Sequence, residues 1–522
     1  MALAAGTTLA QPVEPVDLEM VSRIRQEAFH NSRVMQTLGE LTEDVGPRLT
    51  NSPGMDRANA WAKKTLEGWG LANVHDEAFA DFGRGWTFGS AGIEMLAPRQ
   101  LPLYALPKAW TAGTGGVVEG EAVYAKLEKE ADFERFRGKL RGKVVFLDEA
   151  REYKPGEKPD FHRHDGTTLE DLQAFTVPKD RNDGNDDRLK RYLERVEFGK
   201  QLNRFLADEG VLATVDLSSR DNGIVGTGGG GSRKAGEAVG VPEFAMIAEH
   251  YNEVMRALDD GDTVRLRLHS DARFTTDDDR DGYNTIAEIP GRGSLADEVV
   301  MIGAHMDSWH TATGASDNGA GVAVMMEAMR ILQAVDARPR RTIRIALWSG
   351  EEQGLIGSAD YVERHFAAYP EPTDPKQAKL PSFFRSERGE LQRKPGYDKI
   401  SAYFNLDNGS GRIRGVYAQE NLAAMPIFAA WLEPFHDVGA TVVTSRNTGS
   451  TDHISFDRAG IPGFQFVQDG LDYFSNVHHT NLDTYDHASA EDLKQAAAIV
   501  ASFAYNAAMR DAKLPRKAVL AN

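Results

Sequence analysis

Apolar residues fall into short unbroken stretches in the second half of the chain, with helix-spaced stripes between them. Tyr283 to Ile289, Val299 to Ala304, Thr342 to Trp348, Ser401 to Leu406 and Phe464 to Val467 are each of strand length. Val322 to Val335, Ser358 to His365, Thr451 to Arg458 and Ala490 to Met509 instead have the spacing of a helix. Strands buried on both faces read as continuous apolar runs. The alternation therefore predicts an α/β fold, a mostly parallel mixed sheet covered by helices on both faces.

Upstream the pattern changes twice. From Leu18 to Phe79 it is largely helical: Met35, Leu38, Leu41 and Val45 lie near one face, a second helix runs from Arg57 to Trp69, and Val74 to Phe79 reads as a strand. From about Ala97 short β runs take over, at Val117-Val118, Ala122 to Ala125, Lys143 to Leu147, Val211 to Val215 and Val264 to Leu268, with a helix from Glu249 to Leu258. The polar stretch 149–200 reads as a loop leading into a charged helix. The run GTGGGGS at 226–232 has no Gly-Lys-Ser/Thr after it and reads as a flexible loop rather than a phosphate cradle. The expected organisation is a tail or signal remnant at 1–17, a split catalytic domain at 18–96 and 276–522, and a smaller β-rich insert at 97–275. A chain of 522 residues is too long for one core, which fits such a division.

Composition narrows the function. A formal charge of −18 and no basic cluster argue against nucleic acid and anionic membranes as partners. No apolar run approaches the roughly 20 residues needed to cross a bilayer. The absence of cysteine removes disulfides and thiolate ligands, so any metal must be held by histidines and carboxylates. The opening MALAAGTTLAQPVEP lacks a basic leader and leaves two readings, a trimmed export signal or a plain tail. The first is preferred and implies a secreted or periplasmic protein.

Polar residues recur where the strands end. His305, Asp307, His310 and Asp317 follow the first central strand, Glu351 and Glu352 follow the next, Asp407 follows the third, and His478-His479 precede the last helix. Each is weak evidence alone. Together they bring imidazoles and carboxylates to one rim, at the carboxyl ends of strands where α/β sheets bind ligands, and such a set suits two zinc ions.

At this point the chain resembles the co-catalytic di-zinc exopeptidases of the bacterial leucyl aminopeptidase and carboxypeptidase Q type, peptidase family M28. The resemblance rests on DVGPRLTNSPG, YNTIAEIPG, AHMDSW, GASDNGAG, SGEEQGLIGS, FNLD, STDHISF with GIPGF, and HHTNLDT, which occur in family order. It implies a zinc exopeptidase fold in which His305 and Asp407 hold one zinc, Glu352 and His479 the other, and Asp317 bridges them. It further implies Glu351 as general base, Asp307 as the carboxylate orienting His305, a cis peptide at Asp317-Asn318, and a peptide substrate. The β-rich stretch resembles a protease-associated domain that shapes or roofs the cleft.

Several residues depart from the family pattern or stay open. Thr448 stands where the aminopeptidase branch has a carbonyl-polarising Tyr, and Tyr473 is a candidate substitute. His310 is a candidate for substrate contact, and Arg412 and Arg414 for a substrate carboxylate, while His162 and His164 read as solvated. The expected function is a zinc-dependent aminopeptidase or dipeptidase acting on short peptides through a zinc-bridging water. The alternatives are a glutaminyl-cyclase-like zinc acyltransferase and a non-catalytic binding scaffold. Oligomeric state is not legible.

Overall fold

The computed structural model describes residues 14–154, 156, 159–176, 185–378, 380, 385 and 389–517. Residues 1–13 of the candidate tail or signal remnant at 1–17, and the start of RNDGNDDR, lie outside them. One eight-stranded sheet has the order Ala72–Gly83, Arg280–Ile289, Thr342–Trp348, Val299–His305, Ile400–Asn405, Gly463–Gln468, Ile413–Tyr417, Val442–Thr444. Its four inner strands, from Thr342–Trp348 to Gly463–Gln468, are parallel, and antiparallel pairings flank them on both sides.

The apolar runs behave as burial on both faces requires. Every residue of Val299–His305 is buried. Val300, Ile302 and Ala304 pack with the helices Leu18–His30, Ala320–Ala334 and Ala490–Met509. Val299 and Met301 point the other way, into a layer with Trp348, Tyr361 and Phe456. The mixed α/β architecture is thus the one expected. Among the described residues no helix is long and apolar enough to cross a membrane.

Two element boundaries differ from the sequence reading for identifiable reasons. The helix expected at Arg57 begins at Pro53, because the Ser52 hydroxyl accepts from Met55 N at 3.2 Å and Pro53 occupies the first turn. Ser52-Pro53 is therefore the helix start. The second eight-stranded sheet takes in Ala91–Ala97, which pairs with Arg265–Ser270, so that sheet begins before residue 97. Its other strands all lie within 101–270, and its core includes Tyr251 and Val254 from the helix Ala248–Asp259.

A buried ion network ties the amino-terminal helix to the core. Glu327, fully buried in Ala320–Ala334, accepts from Arg330 Nε at 2.7 Å, Arg33 N at 2.9 Å and Ser32 Oγ at 3.1 Å. Arg330 also reaches Glu27 at 2.7 Å. Removing one partner of a buried pair strands the other charge. Arg330→Met is expected to lower the unfolding free energy by about 3–5 kcal/mol in urea titrations; a loss below about 1 kcal/mol would contradict this account of the network.

Candidate metal centre

Parallel register sets His305 opposite Trp348 and Gly303 opposite Asn405, so three neighbouring strands end at one level. The loops beyond them deliver their side chains to one place. His305 Nε2 lies 3.3 Å from Asp407 Oδ1, 3.5 Å from Asp317 Oδ1 and 3.9 Å from Glu351 Oε2. On the far side of Asp317, His479 Nε2 lies 3.3 Å from Asp317 Oδ2 and 2.9 Å from Glu352 Oε2. Asp317 thus turns one oxygen to each imidazole. Seven of the residues singled out from the sequence meet here: His305, Asp307, Asp317, Glu351, Glu352, Asp407 and His479.

The sequence between them explains the convergence. Gly321 lets the helix start reach the strand end: a Cβ there would fall 2.2 Å from Asn318 Oδ1 and 2.4 Å from Leu406 O. Asp483 receives Ser316 N at 2.6 Å and Asp317 N at 3.1 Å, fixing the backbone that presents Asp317. The Asp317–Asn318 peptide is cis. Asp307 works differently from the expectation. His305 Nδ1 lies 2.9 Å from the Asp307 carbonyl but 3.6 Å from its carboxylate, so the carbonyl orients the ring and leaves Nε2 facing the cluster. The carboxylate instead accepts from Thr50 Oγ1 at 3.0 Å, Glu351 N at 3.3 Å and Glu352 N at 3.4 Å, holding the glutamate pair in position.

Sequence reasoning gave Arg48 no role and named His478 only within the His478-His479 doublet. Arg48, within DVGPRLTNSPG, is buried and donates to the carbonyls of Met306, Gly46, Thr313 and Gly314 at 2.6–3.0 Å, so it spans the loop between His305 and Asp317. Burial lowers its pKa to about 10, against the opposing pull of Asp483, Asp307, Asp317 and Glu352. His478 stacks on His479 with centroids 3.7 Å apart, and its Nε2 is 3.9 Å from Asp317 Oδ2. The His-His doublet was the only signal for it.

The electrostatics are those of crowded, buried carboxylates. Burial, reinforced by neighbouring carboxylates, pushes Glu351 and Glu352 well above the usual range. His305 is raised well above normal: burial opposes its charge, but Asp407 and Glu351 outweigh that. For Asp317 burial works upward, yet His305 and His479 hold it well below normal. Four buried atoms, His305 Nε2, Asp317 Oδ2, Glu352 Oε1 and Asp407 Oδ1, have no hydrogen-bond partner. Lone pairs converging without donors fit a cation.

The remaining candidates divide. Tyr473 is buried in the field of Asp317, Asp407 and Glu352, and burial with those carboxylates keeps its phenol protonated. Thr448 turns its backbone carbonyl toward His453 at 3.2 Å. Arg412 pairs with Asp492 at 3.0 Å and Arg414 with Asp469 at 3.3 Å, so both are occupied away from the metal cluster. His164 is half-buried against the Gln468 carbonyl at 3.1 Å, rather than solvated. His310 lies within hydrogen-bond reach of the Pro107 carbonyl at 2.7 Å, between Trp86 and Phe88, and is structural.

Residues 284–504 match the family model described as Peptidase family M28. Carboxypeptidase Q of Mus musculus is 26% identical over 489 residues, covering 93% of this chain and 88% of that protein. The structure of a peptidase M28 precursor from Shewanella amazonensis superposes with a TM-score of 0.64 at 24% identity, over 96% of this chain and 98% of that one. A zinc aminopeptidase from Bacillus subtilis gives a TM-score of 0.55 at 18% identity, over 92% and 96%. The family match, the relatives and the clustered site define a metallo-exopeptidase. Residues 284–504 are the part of the chain that is similar to peptidase family M28.

His310 also gives a pH prediction. Burial lowers its pKa from 6.5 to about 4. The unfolded chain therefore takes up this proton at higher pH than the folded protein, and protonation favours unfolding. The neutral ring's full contribution is present above pH 6.5 and is lost as pH falls toward 4. His310→Gln, which keeps a donor for Pro107, is expected to reduce the loss of stability between pH 7 and 4.5 by up to about 3 kcal/mol. Chemical denaturation at several pH values measures it, and equal acid sensitivity in both proteins would refute the assignment.

Proposed function

We propose that this protein is a zinc-dependent exopeptidase that cleaves the terminal bond of short peptides as an aminopeptidase or dipeptidase, with water held between two zinc ions. In this reading His305 and Asp407 hold one ion, Glu352 and His479 the other, and Asp317 is shared. The observation that carries it is the aim of the Asp317 carboxylate: Oδ1 toward His305 at 3.5 Å, Oδ2 toward His479 at 3.3 Å. When bound, the two ions supply Lewis acidity and make their shared water acidic enough to attack near neutral pH.

The chain's own residues do the rest. Glu351 stands beside the cluster, 3.9 Å from His305 Nε2, while its neighbour Glu352 faces His479. Its raised affinity for a proton suits it to take one from the attacking water and return it to the leaving amine. The ligand atoms of His305, Asp317, Glu352 and Asp407 are buried from bulk water, and only His479 is half-exposed. A small cleft lined by Trp309, Asp317, His479 and Asp483 opens beside the centre. Arg412 and Arg414, the sequence candidates for a substrate carboxylate, are already paired with Asp492 and Asp469, which favours recognition through the amino terminus.

The test combines metal analysis with a panel of aminoacyl chromogenic substrates and unblocked dipeptides. Wild type is expected to bind two zinc ions per chain and to turn over the panel. Glu351→Ala should keep both ions and lose activity by about 10²–10⁴-fold. Zinc at one ion per chain with cyclisation of amino-terminal glutamine would favour the acyltransferase, and metal-free protein without turnover would favour the binding scaffold.

A further inference from the structure

The loop that carries His479 is held from outside the catalytic sheet. Residues 471–481 have few strand or helix partners of their own: only the short turn Tyr473–Val477 is regular, and His479 itself has a positive φ of 56°. Two segments belonging to the second sheet's domain grip it.

The first is Arg220. Its guanidinium donates to the carbonyls of Phe474 at 3.0 Å, His478 at 3.3 Å and Ser475 at 3.4 Å, two within that turn and one just beyond it. A planar fork with several donors is suited to gathering three carbonyls, and an ammonium is not. The second grip is the glycine-rich run. Thr227 N donates to His479 O at 2.9 Å, Val225 N to Asn481 Oδ1 at 2.7 Å, and Asn481 N to Val225 O at 3.1 Å, with a Gly226–Thr480 bridge between. Both sides of the His479 backbone are thus fixed by residues 220–227. The run read from sequence as a flexible loop forms a short ladder with the metal-site loop. Side-chain substitution is restricted there: a Cβ at Gly226 would fall 2.2 Å from Ser219 Oγ.

We propose that the inserted domain completes the metal centre, with Arg220 as the positioning residue that holds the His478-His479 segment in register with Asp317 and Glu352. This rests on the zinc-site reading above. His479 is the one assigned ligand on a half-exposed side chain, at 38% exposure, so its placement depends most on how its backbone is held. Without the grip the ring is free to swing from Glu352. The ion on that side would then bind more weakly than the ion between His305 and Asp407, whose loops are anchored in the catalytic sheet.

The experiment compares the full-length wild type with Arg220→Ala, Arg220→Lys, Asn481→Ala and, as a control on the remote face of the insert, Arg267→Ala. Among the described residues Arg267 pairs with Glu94 and Glu119 at 2.9–3.1 Å. Zinc affinity is read by chelator competition on metal-free protein, and kcat and KM are read separately at saturating zinc. Arg220→Ala is expected to weaken the second zinc about tenfold, leave the first within about twofold, and lower kcat with KM little changed. Arg220→Lys should fall between, Asn481→Ala should shift the second zinc in the same direction should Arg220→Ala fail to fold, and Arg267→Ala should match wild type. Wild-type zinc affinities in both Arg220→Ala and Asn481→Ala would overturn the proposal, as would an equal loss in Arg267→Ala. A wild type that binds no zinc would contradict the reading of the site itself, and the inference would fall with it.

Discussion

The structure depends on holding like charges together in a buried place. Asp307, Asp317, Glu351, Glu352 and Asp407 crowd around His305 and His479, and at close range in a poorly hydrated pocket their repulsion is large. Two imidazoles do not balance them. Much of what surrounds the cluster restrains it: Asp307 takes the backbone N–H groups of the glutamate pair, Asp483 takes those of Ser316 and Asp317, and Arg48 places a buried positive charge behind the loop that joins His305 to Asp317. A site prepared in this way is suited to a divalent cation, because the cost of assembling the carboxylates has been met by folding.

That constraint also explains which parts of the chain could be read in advance. The inner strands are unbroken apolar runs because both their faces are covered, and this pattern survives in sequence without any knowledge of partners. Strand ends therefore mark candidate positions, and His305, Glu351, Glu352 and Asp407 stand out by falling together at the ends of neighbouring strands. The mixed sheet with helices on both faces follows from the same runs, and the metallo-exopeptidase class from the motifs laid over them.

What was not legible depends on contacts between distant segments. Arg48 and Met306 are 258 residues apart, and nothing local marks that arginine as buried rather than exposed. Arg412 and Arg414 read as possible ligand-binding residues because their partners Asp492 and Asp469 lie 80 and 55 residues away. His164 docks on Gln468, and the glycine-rich run pairs with the His479 loop, for the same reason: composition suggests a loop but does not say what the loop lies against. The helix start at Ser52-Pro53, four residues before Arg57, is a different case: its capping signal is local and present in the sequence.

The account's central claim is a pair of ions sharing Asp317, and crystals of zinc-loaded protein measured on both sides of the zinc absorption edge test it most directly. It predicts two anomalous peaks, one bonded by His305 and Asp407, the other by His479 and Glu352, each reached by one oxygen of Asp317, with Glu351 coordinating neither. A single peak, or a second one bonded by His478 in place of His479, would contradict it.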